Sequence, residues 1–328
     1  MHLRDGKKIA MSAQIMLVGA GQLGSRYLQG VWSIKKPLSI LVVDSDESAF
    51  VLAKARLEEI CPQLHHNIAW SQELSDCPSQ LDLVIVATSS LNRMQLIKEI
   101  ASRASVKYWI LEKILVQSSD DATNVTQALS GCHQAWVNTP RRLMCWYKYL
   151  RNEVLFSSPL KVEKSGGVWG IACNSIHFID LVAWWTDETL VSVEPNALSQ
   201  DWFESKRRGF YEVTGDLVAT YSGGSVLTLR SDPEVQDDQL TVETSQGVVW
   251  TIDELKGVAR SSEGNELLGQ LEYQSALTPR LVSEILENGL SDLPTLQESS
   301  QMHAIFLDAM LKHWNESRGR NDTHVPIT

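Results

Sequence analysis

Residues 15–30, IMLVGAGQLGSRYLQG, place an apolar strand, a glycine turn and a helix start in immediate succession. Few folds accommodate that order. Gly19, Gly21 and Gly24 fit G-x-G-x-x-G, and the next apolar run, LVV, ends in Asp44, twenty positions after the last glycine. The first glycine permits a tight turn, the second lets backbone N–H groups approach a pyrophosphate, and the third lets the helix pack closely on the strand. Together with the intervening Gln22 and Leu23, the helix N-terminus offers partial positive charge to an anion. The pattern predicts a dinucleotide site. A carboxylate at Asp44 would accept the hydroxyls of an adenosine ribose and repel a 2′-phosphate. Ser45, Asp46 and Glu47 follow it, with no arginine or lysine to receive that phosphate. NAD is therefore expected as cofactor over NADP.

Further along, residues 14–139 alternate between strand and helix patterns. Strands are expected at 15–18, 40–43, 83–87, 108–111 and 135–137, and helices at 47–60, 92–101 and 119–129. Such alternation implies a parallel sheet covered by helices, with its ligand crevice beyond the carboxyl ends of the strands. Thr88 and Ser89 stand at one such end and join the expected cofactor set. After Pro140 the texture changes. Helical patterns at 141–154 and 175–185, with a strand at 161–166 before the second, lead into a strand-rich stretch over 191–251. Helices at 279–287 and 296–314 precede a tail, 319–328, expected to fray. The chain thus reads as an N-terminal dinucleotide-binding domain, 14–139, and a C-terminal α+β domain, 140–328, built on an open, mostly antiparallel sheet. At 328 residues it is long enough for two cores.

Charge and cysteine content narrow the partners. A formal net charge of −11 argues against nucleic acid, and Lys206-Arg207-Arg208 reads as a solvated loop. The five cysteines are odd in number and form no C-x-x-C pair, so reduced thiols in a cytoplasmic protein are expected, with no metal. Cys61 with His65 and His66 is rejected as a metal cluster. No apolar run reaches bilayer length, and the first dozen residues lack the apolar stretch of a signal peptide and read as a lead-in outside the fold.

Two constellations carry chemistry. Glu112-Lys113 follows the strand expected at 108–111, where a lysine projects into the crevice and its ammonium can orient a hydroxyl or polarise a carbonyl. His177 and Asp180, spaced i, i+3, share a helix face, and a histidine held by a carboxylate can exchange a proton. On position alone, a solvated lysine and a packed histidine serve equally well.

Read in order, VGAGQLG, DLVIVATSS, EKI, the His177 helix with its H-x-I-D and the final DLPTLQESSQMHAIFLDAML resemble the Gfo/Idh/MocA oxidoreductases over most of the chain. The resemblance implies a Rossmann domain beside an open-sheet domain. It implies hydride transfer to or from a secondary alcohol of a sugar, polyol or derivative, and a homodimer or homotetramer formed through the sheet. It makes Lys113 the lysine of the family's Glu-Lys-Pro motif and His177 its catalytic histidine. Cys173 stands where the family frequently has aspartate, Ser175 replaces a glycine, and Ile114 replaces the proline. A neutral thiol is a poorer base than a carboxylate. The expected set is therefore Lys113, His177 and Asp180 for catalysis. Gly19, Gly21, Gln22, Leu23, Gly24, Asp44, Thr88, Ser89 and Glu112 are expected to hold the cofactor. Arg141 and Asn174, with Lys113 and His177, are expected to bind substrate. The competing reading is an NAD-binding sensor or structural partner that has lost turnover.

Overall fold

The computed structural model describes residues 12–60, 66–154 and 159–328. The expected lead-in, with Cys61 and His65, lies outside these. Strands β1 (Ala13–Val18), β2 (Leu38–Val43), β3 (Asn67–Ser71), β4 (Gln80–Val86), β5 (Ser105–Glu112) and β6 (Gln134–Asn138) form one six-stranded sheet, ordered β3-β2-β1-β4-β5-β6 and parallel at every pair. The order reverses between β1 and β4, which opens a crevice at their carboxyl ends. Helices α1 (Gly24–Trp32), α2 (Glu47–Glu58), α3 (Arg93–Arg103) and α4 (Ser119–Ala128) fill the crossovers. Strand β4 ends in LVIV, buried on both faces, as a covered parallel sheet requires. The strand missing from the sequence reading, β3, is a short edge strand with alternating exposure, so it carries little apolar signal.

Beyond residue 139 the predicted 141–154 helix is broken. A short 3-10 turn ends at Met144, whose extended backbone separates it from α5 (Cys145–Tyr149), and a π turn follows. Next come β7 (Lys161–Gly166), α6 (Ile171–Thr186), β8 (Leu190–Leu198), β9 (Phe203–Glu204) and β10 (Tyr211–Glu212). Strands β11 (Gly215–Tyr221), β12 (Val226–Ser231), β13 (Gln239–Glu243), β14 (Val249–Asp253), β15 (Val258–Ser261) and β16 (Glu266–Leu268) complete the second sheet. Its order is β16-β15-β14-β13-β7-β12-β11-β8, antiparallel except where β7 meets β12. Strands β9 and β10 stand apart as a hairpin.

Helices α7 (Gln274–Asn288) and α8 (Leu296–Arg318) return to the first sheet. A capping box between Thr295 and Glu298 starts α8. Thr295 also bridges to Trp136 of β6, which ties the helix start to the sheet edge. At Gly30 of α1 an added Cβ would lie 2.4 Å from the Cβ of Thr278, so α7 crosses α1 at backbone distance.

The tail corrects an expectation. Val325 and Ile327 are fully buried. The Val325 N–H donates to the Gln117 carbonyl, and the Tyr211 N–H donates to that of Pro326. Ser90 donates its hydroxyl to the Ile327 carbonyl, and the Ser90 N–H donates to Thr328 Oγ1. Two apolar side chains in ten residues look like a frayed end. What fixes them are partners distant in the chain, from Tyr211 back to Gln117 and Ser90.

Among the described residues no helix is long and apolar enough to cross a membrane, and no cluster of side chains could hold a metal ion.

Candidate active site

A cavity of about 900 Å³ opens at the carboxyl ends of β1, β4 and β5. Gly19, Gly21, Gln22, Leu23, Asp44, Thr88, Ser89 and Glu112 line it, so most of the expected cofactor set meets there. Gly24 lies behind it. A Cβ at Gly24 would fall 1.8 Å from the Gly19 carbonyl oxygen, which leaves room for glycine only. At Gly21 a Cβ would meet no protein atom within 4 Å, so the space over that residue is open to the cavity. The Asp44 carboxylate is fixed by the Ala20 N–H at 2.6 Å and the Asp46 N–H at 2.9 Å. Arg103 shares a neighbouring hollow with Asp44 and Ser45, and Glu99 pairs with it.

Glu112 faces the same cavity but is heavily engaged. Tyr27 donates to it at 2.6 Å and Asn138 at 2.7 Å. Burial raises its pKa. The turn after it is held by a residue that sequence reasoning missed. Arg93, only 1% exposed, donates to the carbonyls of Thr88, Glu112, Ile114 and Leu115. His303 of α8 accepts the Leu115 N–H at 3.0 Å through Nε2, and its Nδ1 donates to the Ser299 carbonyl at 2.8 Å. Burial lowers the His303 pKa to about 4. Arg93, the first residue of α3 after Asn92, and His303, mid-helix between Met302 and Ala304, had no sequence signal beyond their type.

Lys113 projects from this braced turn. Its Nζ donates to the Cys173 carbonyl at 3.1 Å and to Asn174 Oδ1 at 3.2 Å, with no carboxylate in ion-pair contact among the described residues. Burial holds its pKa below the ordinary lysine range. Asn174 is fixed in turn, its Nδ2 donating to the Trp169 carbonyl. Lys113, Cys173 and Asn174 all line the cavity.

Helix α6 begins four residues before the predicted start, and the reason lies elsewhere in the chain. Its first turn has no local side-chain cap. Instead Glu212 of β10 accepts the Ala172 N–H at 2.9 Å and the Cys173 N–H at 3.2 Å. A carboxylate there complements the helix dipole. Burial, reinforced by Glu212, pushes the Cys173 thiol up to about 12, so at neutral pH it carries no charge. The acid missing from position 173 has a spatial counterpart in Glu212, which also lines the cavity.

Three expected residues stand differently from the sequence reading. His177 is half-buried, and its Nδ1 is enclosed without a hydrogen-bond partner. Burial, with the charges of Lys113 and Arg141, lowers its pKa well below the ordinary histidine value. Asp180 makes no hydrogen bond to His177. Its carboxylate is taken by Arg142, at 2.9 and 2.7 Å, and by the Thr139 hydroxyl at 2.7 Å. The i, i+3 spacing was right for one helix face, but that face is divided between two neighbours. Arg141 is likewise committed, with both ends of its guanidinium on Glu254 at 2.9 and 3.0 Å and the cation over the Phe178 ring. It does not line the cavity, so the expected anchor for a substrate anion is a structural ion pair.

By sequence the chain matches no protein-family model and no curated protein. By structure it is similar to the UDP-N-acetylglucosamine 3-dehydrogenase GnnA from Acidithiobacillus ferrooxidans, with TM-score 0.69, 14% identity, and coverage of 91% of this chain and 97% of that one. It is similar to GenD2 from gentamicin A biosynthesis, in complex with NAD, with TM-score 0.68, 15% identity, and coverage of 97% and 98%. It is also similar to myo-inositol dehydrogenase from Lactobacillus casei, in complex with NAD(H) and myo-inositol, with TM-score 0.64, 15% identity, and coverage of 95% and 96%. The parallel sheet in its 3-2-1-4-5-6 order and the mixed, mostly antiparallel sheet beside it are thus the fold these solved structures share.

Proposed function

We propose that the chain is an NAD-dependent oxidoreductase acting between a secondary alcohol and a ketone of a sugar, polyol or sugar derivative. One observation carries the reading: a single cavity joins the glycine loop and Asp44 to a braced lysine whose ammonium makes no ion pair among the described residues. The dehydrogenases of the same fold support it. Residues 14–139 would hold the cofactor and 140–328 would supply substrate and subunit contacts.

The cavity fits a dinucleotide, given the open space over Gly21 and the preset carboxylate of Asp44. When bound, the nicotinamide supplies a hydride acceptor or donor. The protein's own residues do the rest. Lys113 orients the reacting oxygen and stabilises the charge that develops on it. Asn174 and the Cys173 carbonyl aim the ammonium. His177, one turn along α6 from the cavity-lining Cys173 and Asn174 and itself just behind that lining, is assigned the proton exchange in this proposal by the resemblance, without help from Asp180. Cys173 takes no part as a base.

A homodimer or homotetramer through the second sheet is part of the proposal. The exposed apolar residues Val249, Leu255 and Leu268 lie on and beside β14–β16 and give that face a reason to be covered. The free thiols of Cys77, Cys132, Cys145 and Cys173 suit a cytoplasmic location.

The test is NADH and NADPH binding, followed by turnover with a panel of sugars, polyols and their acid or phosphate derivatives. NADH binding with turnover is expected. Asp44→Ala should weaken NADH by about tenfold more than NADPH. Unchanged discrimination would remove the argument for NAD, and NADH binding without turnover on any panel member would favour the sensor reading.

A further inference from the structure

We propose that the hairpin over residues 203–212 is a subsite for an anionic substituent on the substrate, a carboxylate or phosphate, held by Lys206 and Arg207. This rests on the oxidoreductase reading for which end of the cavity takes substrate. The sequence suggested only a solvated loop at Lys206-Arg207-Arg208. In the fold Phe203, Lys206, Arg207 and Glu212 line the same cavity as Gly21, Asp44 and Lys113.

The two cations are available. Among the described residues neither side chain has an ion pair or hydrogen bond, although the protein's net charge is −11. The cavity's acids are engaged. Glu204 accepts the Gly209 N–H at 2.8 Å, Glu212 accepts the first N–H groups of α6, Glu112 is held by Tyr27 and Asn138, and Asp44 is held by the glycine loop.

The backbone that carries the cations is held in place. Glu204 pairs with Tyr211 and Phe203 with Glu212 across the hairpin. The Ser205 N–H donates to the Phe210 carbonyl at 2.7 Å, and the Phe210 N–H donates to the Arg207 carbonyl at 3.1 Å. The docked tail braces the outer strand through Pro326. Such a loop fixes the points at which the two side chains leave the backbone at the cavity wall.

An anion bound here has two sources, the cofactor's phosphates or the substrate. The glycine loop and the α1 N-terminus already serve the first. Arg207 stands instead within electrostatic reach of Lys113: burial is the main cause of the lowered lysine pKa, and the Arg207 charge pushes in the same direction. An anion between the two cations would relieve that repulsion, and guanidinium to carboxylate or phosphate is a strong pairing.

The experiment is calorimetric binding of glucuronate, glucose 1-phosphate and glucose to the full chain, with and without NADH. Lys206→Gln/Arg207→Gln is run beside the wild type. At least one anionic probe should bind about tenfold more tightly than glucose, and less so at high salt. The double variant should erase that preference while leaving NADH affinity within about twofold. The proposal is overturned if wild type shows no preference for either anionic probe, absence of binding included, or if the variant keeps it. Weaker NADH binding in the variant with the sugar preference intact would assign the cations to the cofactor phosphates instead. Failure of NADH to bind the wild type would sink the oxidoreductase reading, while the anion preference would still be read on the protein alone.

Discussion

The two walls of the cavity are built on opposite principles. The wall at the end of the parallel sheet is made of backbone, with glycines whose missing Cβ atoms create a cradle and one carboxylate fixed by that cradle's own N–H groups. The facing wall is made of side chains drawn from α6, the 203–212 hairpin and the tail, with only Lys113 reaching across from β5. A backbone wall suits a constant ligand and a side-chain wall a variable one. The first would tolerate almost no substitution at its glycines, whereas the second could be retuned one residue at a time.

The largest expected effect is on the lysine that joins the walls. Lys113→Ala should lower turnover by about three orders of magnitude and leave NADH affinity within about threefold. Parallel loss of both would mean that Lys113 belongs to the cofactor wall. Next comes Gly24→Val, whose Cβ cannot coexist with the Gly19 carbonyl. NADH affinity should fall by about two orders of magnitude, read by fluorescence titration. Near-normal affinity would show the glycine loop to be softer than its packing implies.

The smallest effect concerns the brace beneath Lys113. His303 stays neutral in the fold down to about pH 4, while in the unfolded chain it takes a proton near 6.5. The unfolded state therefore binds more protons between those values, and stability declines as pH falls from about 6.5 toward 4, then levels off. His303→Gln should remove about 2–3 kcal/mol of that decline, read from urea midpoints at pH 7 and pH 4.5. An unchanged difference between the two pH values would show that His303 titrates freely.

The same division explains what the sequence made legible. The backbone wall was readable because its parts are close in the chain, from Gly19 through Gly24 to Asp44, and each glycine has a local steric reason. Lys113 was readable because it ends an apolar strand at the crevice. The other wall depends on pairings over long separations. Glu212 caps α6 from about 40 positions away, Arg93 and His303 brace the lysine turn from two different helices, and Ser90 holds the tail. A spacing rule such as i, i+3 put His177 and Asp180 on one helix, but Arg142 and Thr139 decided what Asp180 does. Arg141 failed as a substrate anchor for the same reason, since Glu254 reaches it from β14's end.

The return of α7 and α8 to the first sheet bears on modularity. Gly30 meets Thr278 at the α1–α7 crossing, Thr126 of α4 shares a hydrogen bond with Ser300 of α8, and Trp136 at the sheet edge bridges to Thr295. The parallel-sheet half cut out after residue 139 would turn that seam toward water and lose its outer helices. Anyone grafting this half onto a foreign substrate domain has to carry residues 274–318 along as well, because the unit that can be transplanted is discontinuous in the chain.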